Sequence, residues 1–287
     1  MSAKGTVLIT GGTDGLGKAG ALLLAEQGYR VVAAGRSAGK RAELDALAKA
    51  KNLPLSTVEM DVTSEASVSA AVANVIAAHG RIDVLINNAG VGYMAVVEEL
   101  KMDDLRQQFE TNLFGVLRVT QAVLPHMRAR KSGRILMLSS VAGLVTPPTY
   151  GAYSASKHAL EGLSNALRLE LYPFHIEVVL IEPGYIRTSF QQTATDLAKG
   201  YAENARSSPY AKIYEGAWNG ANESRKGSQT TPEDCARVML RAIEAAKPKA
   251  RYGVTPLART VKWAKRLATD GLIDSVLRRK YGVTRDA

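Results

Sequence analysis

The chain has 287 residues, 46% of them hydrophobic, enough to bury one substantial core, and no apolar run approaches the ~18 residues of a membrane-spanning helix. Residues 1–6 run directly into an apolar strand without a signal-peptide profile, and the lone Cys235 allows no internal disulfide, so a reducing, cytoplasmic setting is expected. The formal charge of +10 is no nucleic-acid signature: residues 247–287 hold 11 Lys/Arg against 3 Asp/Glu, the rest is nearly neutral, and no zinc-finger or basic-aromatic motif accompanies the charge.

In chain order, residues 5–11, 30–35, 53–62 and 82–90 read as strands, with helices expected over 15–28, 38–51 and 64–80. A long helix is predicted over 102–130, with a local irregularity at Pro125. A strand over 134–143, a helix over 151–172 and a strand over 176–184 follow. This alternation predicts an α/β fold: a single Rossmann-like, doubly wound parallel sheet with helices on both faces and ligands at the carboxyl ends of its strands. The domain is expected over 1–255, with 185–230 as a substrate loop or lid. That segment holds Tyr185, Phe190, Tyr201, Tyr210, Tyr214 and Trp218, which suit either a lid over an apolar ligand or helices packed on the core.

Residues 256–287 form a basic helical C-terminal extension. Leu257, Val261, Ala264, Leu267 and Ala268, then Leu272, Ile273, Val276 and Leu277, recur at helical spacing, and Gly271 divides two short helices. Arg259, Lys262, Lys265, Arg266, Arg278, Arg279 and Lys280 occupy much of the rest. Such helices either pack their apolar stripe on the domain or make weak peripheral contact with an anionic membrane.

The turn "TGGTDGLGKAG" (10–20) leaves the first strand and enters the first helix, where backbone N–H groups and the helix dipole receive phosphate. It nearly fits a P-loop at Gly12–Lys18, but Ala19 stands where Ser or Thr would bind magnesium. The register Thr10-Gly11-x-x-x-Gly15-x-Gly17 fits better, with glycines that let a backbone approach a pyrophosphate. In "NNAG" (87–90) small residues and two asparagines can meet the same ligand. In "YSASK" (153–157) Tyr153 and Lys157 lie four apart on one helix face, so the ammonium is expected to lower the tyrosine pKa and make it an acid–base group. His79, His126, His158 and His175 are too scattered for a metal motif, and no metal is expected.

Taken together, Thr10-Gly11-Gly15-Gly17, Asp61-Val62, Asn87-Asn88-Ala89-Gly90, Asn112, Ser140, Tyr153, Lys157 and Pro183-Gly184 with Thr188 resemble the short-chain dehydrogenases/reductases of TGxxxGxG and YxxxK type over roughly residues 5–190. "EPGYIRT" (182–188) is similar to the retinol and 17β-hydroxysteroid dehydrogenase branch. The resemblance implies a catalytic set of Asn112, Ser140, Tyr153 and Lys157, with Ser140 preferred over Ser139 and Asn112 supporting a water relay to Lys157. It implies cofactor binding through Gly11, Thr13, Asp14, Gly15, Leu16, Gly17, Arg36, Ser37, Asp61, Val62, Asn88, Ala89, Gly90, Tyr153, Lys157, Pro183, Gly184, Ile186 and Thr188.

The cofactor expected is NADP(H) rather than NAD(H), because no acid lies between 31 and 42, Gly35 replaces the family's aspartate and Arg36 can meet a 2′-phosphate. The activity implied is interconversion of an alcohol and its ketone or aldehyde on an apolar steroid-, retinoid- or lipid-like substrate, by a homodimer or homotetramer. The rival reading is a non-catalytic NADP(H) sensor or scaffold with a membrane- or partner-binding tail.

Overall fold

The structure is a computed structural model that describes residues 4–285, apart from the side chains of Arg225 and Arg266. Residues 1–3 of the N-terminal reading, residues 286–287 of the extension and the basic side chain of Arg266 therefore lie outside the described residues.

Strands β1 (Thr6–Thr10), β2 (Arg30–Gly35), β3 (Leu55–Glu59), β4 (Val84–Asn87), β5 (Gly133–Leu138), β6 (Ile176–Glu182) and β7 (Arg251–Gly253) form one sheet. Its order is β3-β2-β1-β4-β5-β6-β7, and every pair is parallel. Between them run α1 (Gly15–Glu26), α2 (Ala38–Ala50), α3 (Glu65–His79), α4 (Met102–Phe109), α5 (Gly115–Ala129) and α6 (Gly151–Glu170). After β6 come α7 (Ser189–Leu197), α8 (Lys199–Asn204), α9 (Ala211–Gly227) and α10 (Pro232–Glu244), and after β7 come α11 (Pro256–Leu267) and α12 (Asp270–Tyr281).

Alternation along each strand divides the core. Val7 and Ile9 of β1 face one layer with Leu24, Leu44, Val238 and Met239, from α1, α2 and α10. Leu8 faces the other, with Val72, Val119, Val123 and Leu160, from α3, α5 and α6. Burial on both faces explains why these strands read as continuous apolar runs.

Strand ends and one helix differ from expectation. The strands predicted over 53–62, 82–90 and 134–143 stop at Glu59, Asn87 and Leu138. Past them the backbone bonds elsewhere: the Asn88 and Ala89 N–H groups both donate to the Thr10 hydroxyl, and Val141 N–H donates to Pro183 O. The helix predicted over 102–130 continues through Pro125 and is interrupted instead by a π-helical turn over Glu110–Phe114. The cause is Asn112, whose amide holds the backbone of Val91 in both directions at 2.9 Å.

The aromatic segment 185–230 is largely helical. Tyr201 and Tyr214 are buried with Ala95 and Ala205, and the Tyr214 hydroxyl donates to Glu99 at 2.7 Å. The extension is tied to this segment through Tyr281. A Cβ on Gly216 of α9 would come within 1.9 Å of the Tyr281 carbonyl, and one on Gly220 within 2.5 Å of its ring.

Candidate active site

The strand order reverses between β1 and β4, and the loops that leave their carboxyl ends diverge there into a crevice. On one wall is the glycine turn. Gly11 and Gly15 have φ of +61° and +50°, a region that L-side chains rarely enter. At Gly17 a Cβ would lie 2.2 Å from the Gly11 carbonyl, so only glycine lets α1 start so close to β1. Asp14 caps α1 by accepting from Gly15 N–H at 2.7 Å and pairs with Lys40. Burial works against this carboxylate, but Lys40, Ser189 and the Gly15 N–H outweigh it and hold its pKa below the ordinary carboxylate value.

The second wall is the NNAG turn. The Asn88 amide donates to Thr10 O at 2.9 Å and Gly11 O at 3.0 Å, lashing this loop to the glycine turn. Asn87 is buried and donates instead to Thr120 at 2.9 Å. At the ends of β2 and β3, Arg36 stands 3.9 Å from Asp61 with 66% of its side chain exposed, free to meet a ligand phosphate. Asp61 is bonded by Thr63 N–H and hydroxyl; these and Arg36 overcome the opposing effect of burial and keep its pKa low. Thr13 occupies the space beside Gly35, where a Cβ would lie 2.5 Å from its hydroxyl oxygen. Ser37 caps α2 through Lys40 N–H at 3.3 Å.

Other residues expected at the cofactor play supporting parts. Val62 is buried and its carbonyl accepts from Arg118 at 2.6 Å. Leu16 packs against the core, and Ile186 lies within it, its carbonyl taken by Gln191. Thr188 caps α7 in a reciprocal box with Gln191, and a Cβ on Gly184 would lie 2.4 Å from Thr255. Lys40 and Arg41 were not legible as site residues. Arg41 holds the β2–α2 turn through Gly35 O and Arg36 O at 2.9 and 2.7 Å, and Lys40 beside it is paired with Asp14. The narrow glycine turn, the capped helix start and the exposed Arg36 fit a nicotinamide dinucleotide lying across the crevice.

At the inner end stand Tyr153, Lys157 and Ser140. The Ser140 hydroxyl lies near enough to the Tyr153 phenol to act on its pKa, and accepts from Ala142 N–H at 3.1 Å. Ser139 is buried with its hydroxyl unpartnered among the described residues, so geometry places Ser140 against the tyrosine. Phe190 of α7 and Tyr150 lie against the Tyr153 ring, with centroids 5.7 and 6.4 Å away. Lys157 donates to Leu138 O at 2.7 Å, with its ammonium 5.7 Å from the Tyr153 ring centroid. Asn112 reaches this helix through Ser156 at 3.2 Å.

One electrostatic expectation is corrected here. The expected lowering is not the net outcome: burial pushes the Tyr153 phenol up to about 12, opposed by Ser140, and pushes Lys157 down to about 8. Both groups have lost water, and the ammonium lies over the ring and on a carbonyl rather than against the hydroxyl, so desolvation outweighs their attraction.

What works against desolvation at Lys157 is Glu161, one turn further along α6. Glu161 is buried, one of its oxygens has no partner among the described residues, and its other oxygen meets Arg251, which also donates to Glu182 at 2.7 Å. Glu161 is therefore a positioning residue that keeps Lys157 charged. Lys157 is an ammonium below about pH 8 and loses its charge as pH rises through that value. In Glu161→Gln the compensating charge is gone, so the lysine deprotonates at lower pH. The alkaline limb of the pH–activity profile is expected to move to lower pH, with Glu161→Asp restoring it; an unmoved limb would remove the role.

Residues 5–198 match the family model described as short chain dehydrogenase. A 3-ketodihydrosphingosine reductase of Bacteroides thetaiotaomicron is 35% identical over 283 residues, covering 96% of this chain and 98% of that protein. The 17-beta-hydroxysteroid dehydrogenase type 1 of Homo sapiens is 36% identical over 88% of this chain and 78% of its own length. A short chain dehydrogenase/reductase from Burkholderia phymatum, crystallised in complex with NAD, superposes with a TM-score of 0.80 at 25% identity, covering 93% of this chain and 95% of that one.

Proposed function

The chain belongs to the short-chain dehydrogenase family, and from that premise we propose that it is an NADP(H)-dependent oxidoreductase interconverting an apolar alcohol and its ketone or aldehyde. The observation that carries this reading is the Ser140–Tyr153–Lys157 cluster at the inner end of a dinucleotide crevice. A nicotinamide held in the crevice would supply or accept the hydride. Ser140 holds the substrate oxygen beside Tyr153. In reduction the Tyr153 hydroxyl gives that oxygen its proton, and in oxidation Tyr153 takes it back. Tyr153, kept protonated by burial, is in the form that reduction requires. Lys157, charged near neutral pH, favours the phenolate once the proton has left.

Likeness to an NAD-bound neighbour leaves the choice of cofactor to local chemistry. Gly35, with Thr13 against it, has no room for a ribose-binding acid, and the exposed Arg36 suits a 2′-phosphate. For the substrate, Phe190, Tyr150 and Gly92 make an apolar surround at Tyr153, and a Cβ on Gly92 would lie 2.9 Å from the Phe190 ring. Relatives named for a ketosphingoid and a steroid substrate support an elongated apolar ketone. A homo-oligomer is proposed through the surface around α4–α6, where Met102, Phe114, Leu169 and Tyr172 are exposed. The testing experiment is NADPH oxidation with long-chain 3-keto amines, steroid ketones, retinal and short water-soluble ketones. At least one long apolar carbonyl is expected to exceed the short ketones in kcat/KM by about 10-fold or more, from roughly 0.8 kcal/mol per buried methylene. Equal rates for both would refute the substrate class.

A further inference from the structure

We propose that the outward faces of α11 and α12 dock on an anionic lipid bilayer. Sequence periodicity left open whether the apolar stripe of these helices packs inward. The structure turns part of it outward. On α11, Leu257, Thr260, Ala264 and Leu267 recur at three- and four-residue spacing on the exposed side, while Ala258 is the buried contact. Leu267 is 87% and Trp263 61% exposed; on α12, Leu272 and Val276 are each 58% exposed, while Tyr281 is buried against α9. Two consecutive helices thus present large apolar side chains to solvent, more than scattered surface hydrophobics account for.

The charges around these side chains identify what covers them. Arg259 flanks the face on α11, and Arg279 and Lys280 lie beside Leu272 and Val276 at the end of α12, whereas Lys262 turns toward Glu182 and Lys265 reaches the His158 ring at 3.5 Å. Among the described residues none of Arg259, Arg279 and Lys280 is paired with a carboxylate within 4 Å; Asp274 and Arg278 line a cavity on the other side of α12. A second copy meeting this face across a two-fold axis would set like charge against like. A bilayer with anionic headgroups meets the cations, takes the leucines into its acyl boundary and suits an indole at the headgroup level.

The test uses the full chain and sedimentation with vesicles of phosphatidylcholine alone or mixed with phosphatidylglycerol. At low salt the protein is expected to partition onto the anionic vesicles only. Raising salt to about 0.5 M, where screening acts within a few ångströms, should reduce partition at least about 10-fold. Arg279→Glu and Leu267→Asp, both on exposed positions, should each weaken it about 10-fold while leaving turnover of a short soluble ketone unchanged. In a Trp218→Phe background, Trp263 fluorescence should shift to the blue on anionic vesicles. No association at low salt, equal binding to neutral vesicles, or full binding by Leu267→Asp would each overturn the proposal. So would a dimer that Leu267→Asp dissolves without any vesicle binding, which would make this face a contact between copies. Failure of the enzymatic reading looks different: no ketone is turned over, yet vesicle partition persists.

Discussion

Tyr153→Phe is expected to lose turnover by about 10²-fold or more, the usual contribution of a positioned acid–base group, while NADPH binding is largely kept. The substitution removes one oxygen and keeps the ring. Contacts with Tyr150 and Phe190 therefore remain, and Ser140 retains its bond from Ala142 N–H. The loss should fall on kcat, since the missing proton transfer belongs to the reacting state. Steady-state kinetics together with a fluorescence titration of NADPH separate the two effects. Wild-type turnover in the variant would remove Tyr153 from the mechanism. A wild-type chain that binds NADPH yet turns over no carbonyl would instead favour the sensor or scaffold reading.

Arg36→Asp is expected to weaken NADPH binding about 10- to 100-fold, the range for losing a charge-assisted hydrogen bond worth roughly 1.5–3 kcal/mol. NADH binding should be unchanged or improved. The new carboxylate would stand next to Asp61 and repel a 2′-phosphate, yet could accept from a ribose hydroxyl. The substitution more often associated with an NAD site, Gly35→Asp, is not the clean test here. Its Cβ would collide with Thr13 at 2.5 Å and disturb the glycine turn itself. Calorimetric titration of both cofactors decides the matter, and equal wild-type affinity for NADPH and NADH would defeat the assignment to Arg36.

Local chemistry written in consecutive residues was legible without coordinates. The alternation of apolar runs and helical patterns determined a parallel sheet, because strands buried on both faces must be apolar throughout. The glycines at 11, 15 and 17, the NNAG turn and the four-residue Tyr153–Lys157 spacing pointed to the crevice and to the tyrosine and lysine that share a helix face beside it, since turn and helix geometry fix such neighbours locally. Long-range packing decided the rest. Asn112 interrupts its helix because it binds Val91, 21 residues earlier. Lys157 is held down near 8 and Tyr153 raised because the folded core removes water, a term that four-residue spacing does not contain. Glu161 gains meaning only when β7 brings Arg251 to it across 90 residues. Tyr201 and Tyr214 of the aromatic segment are buried, with Asp104 and Glu99 as partners for their hydroxyls. The outward turn of Leu267 and Trp263 followed from which side of α11 meets the body, and periodicity fixes a stripe without saying which way it faces.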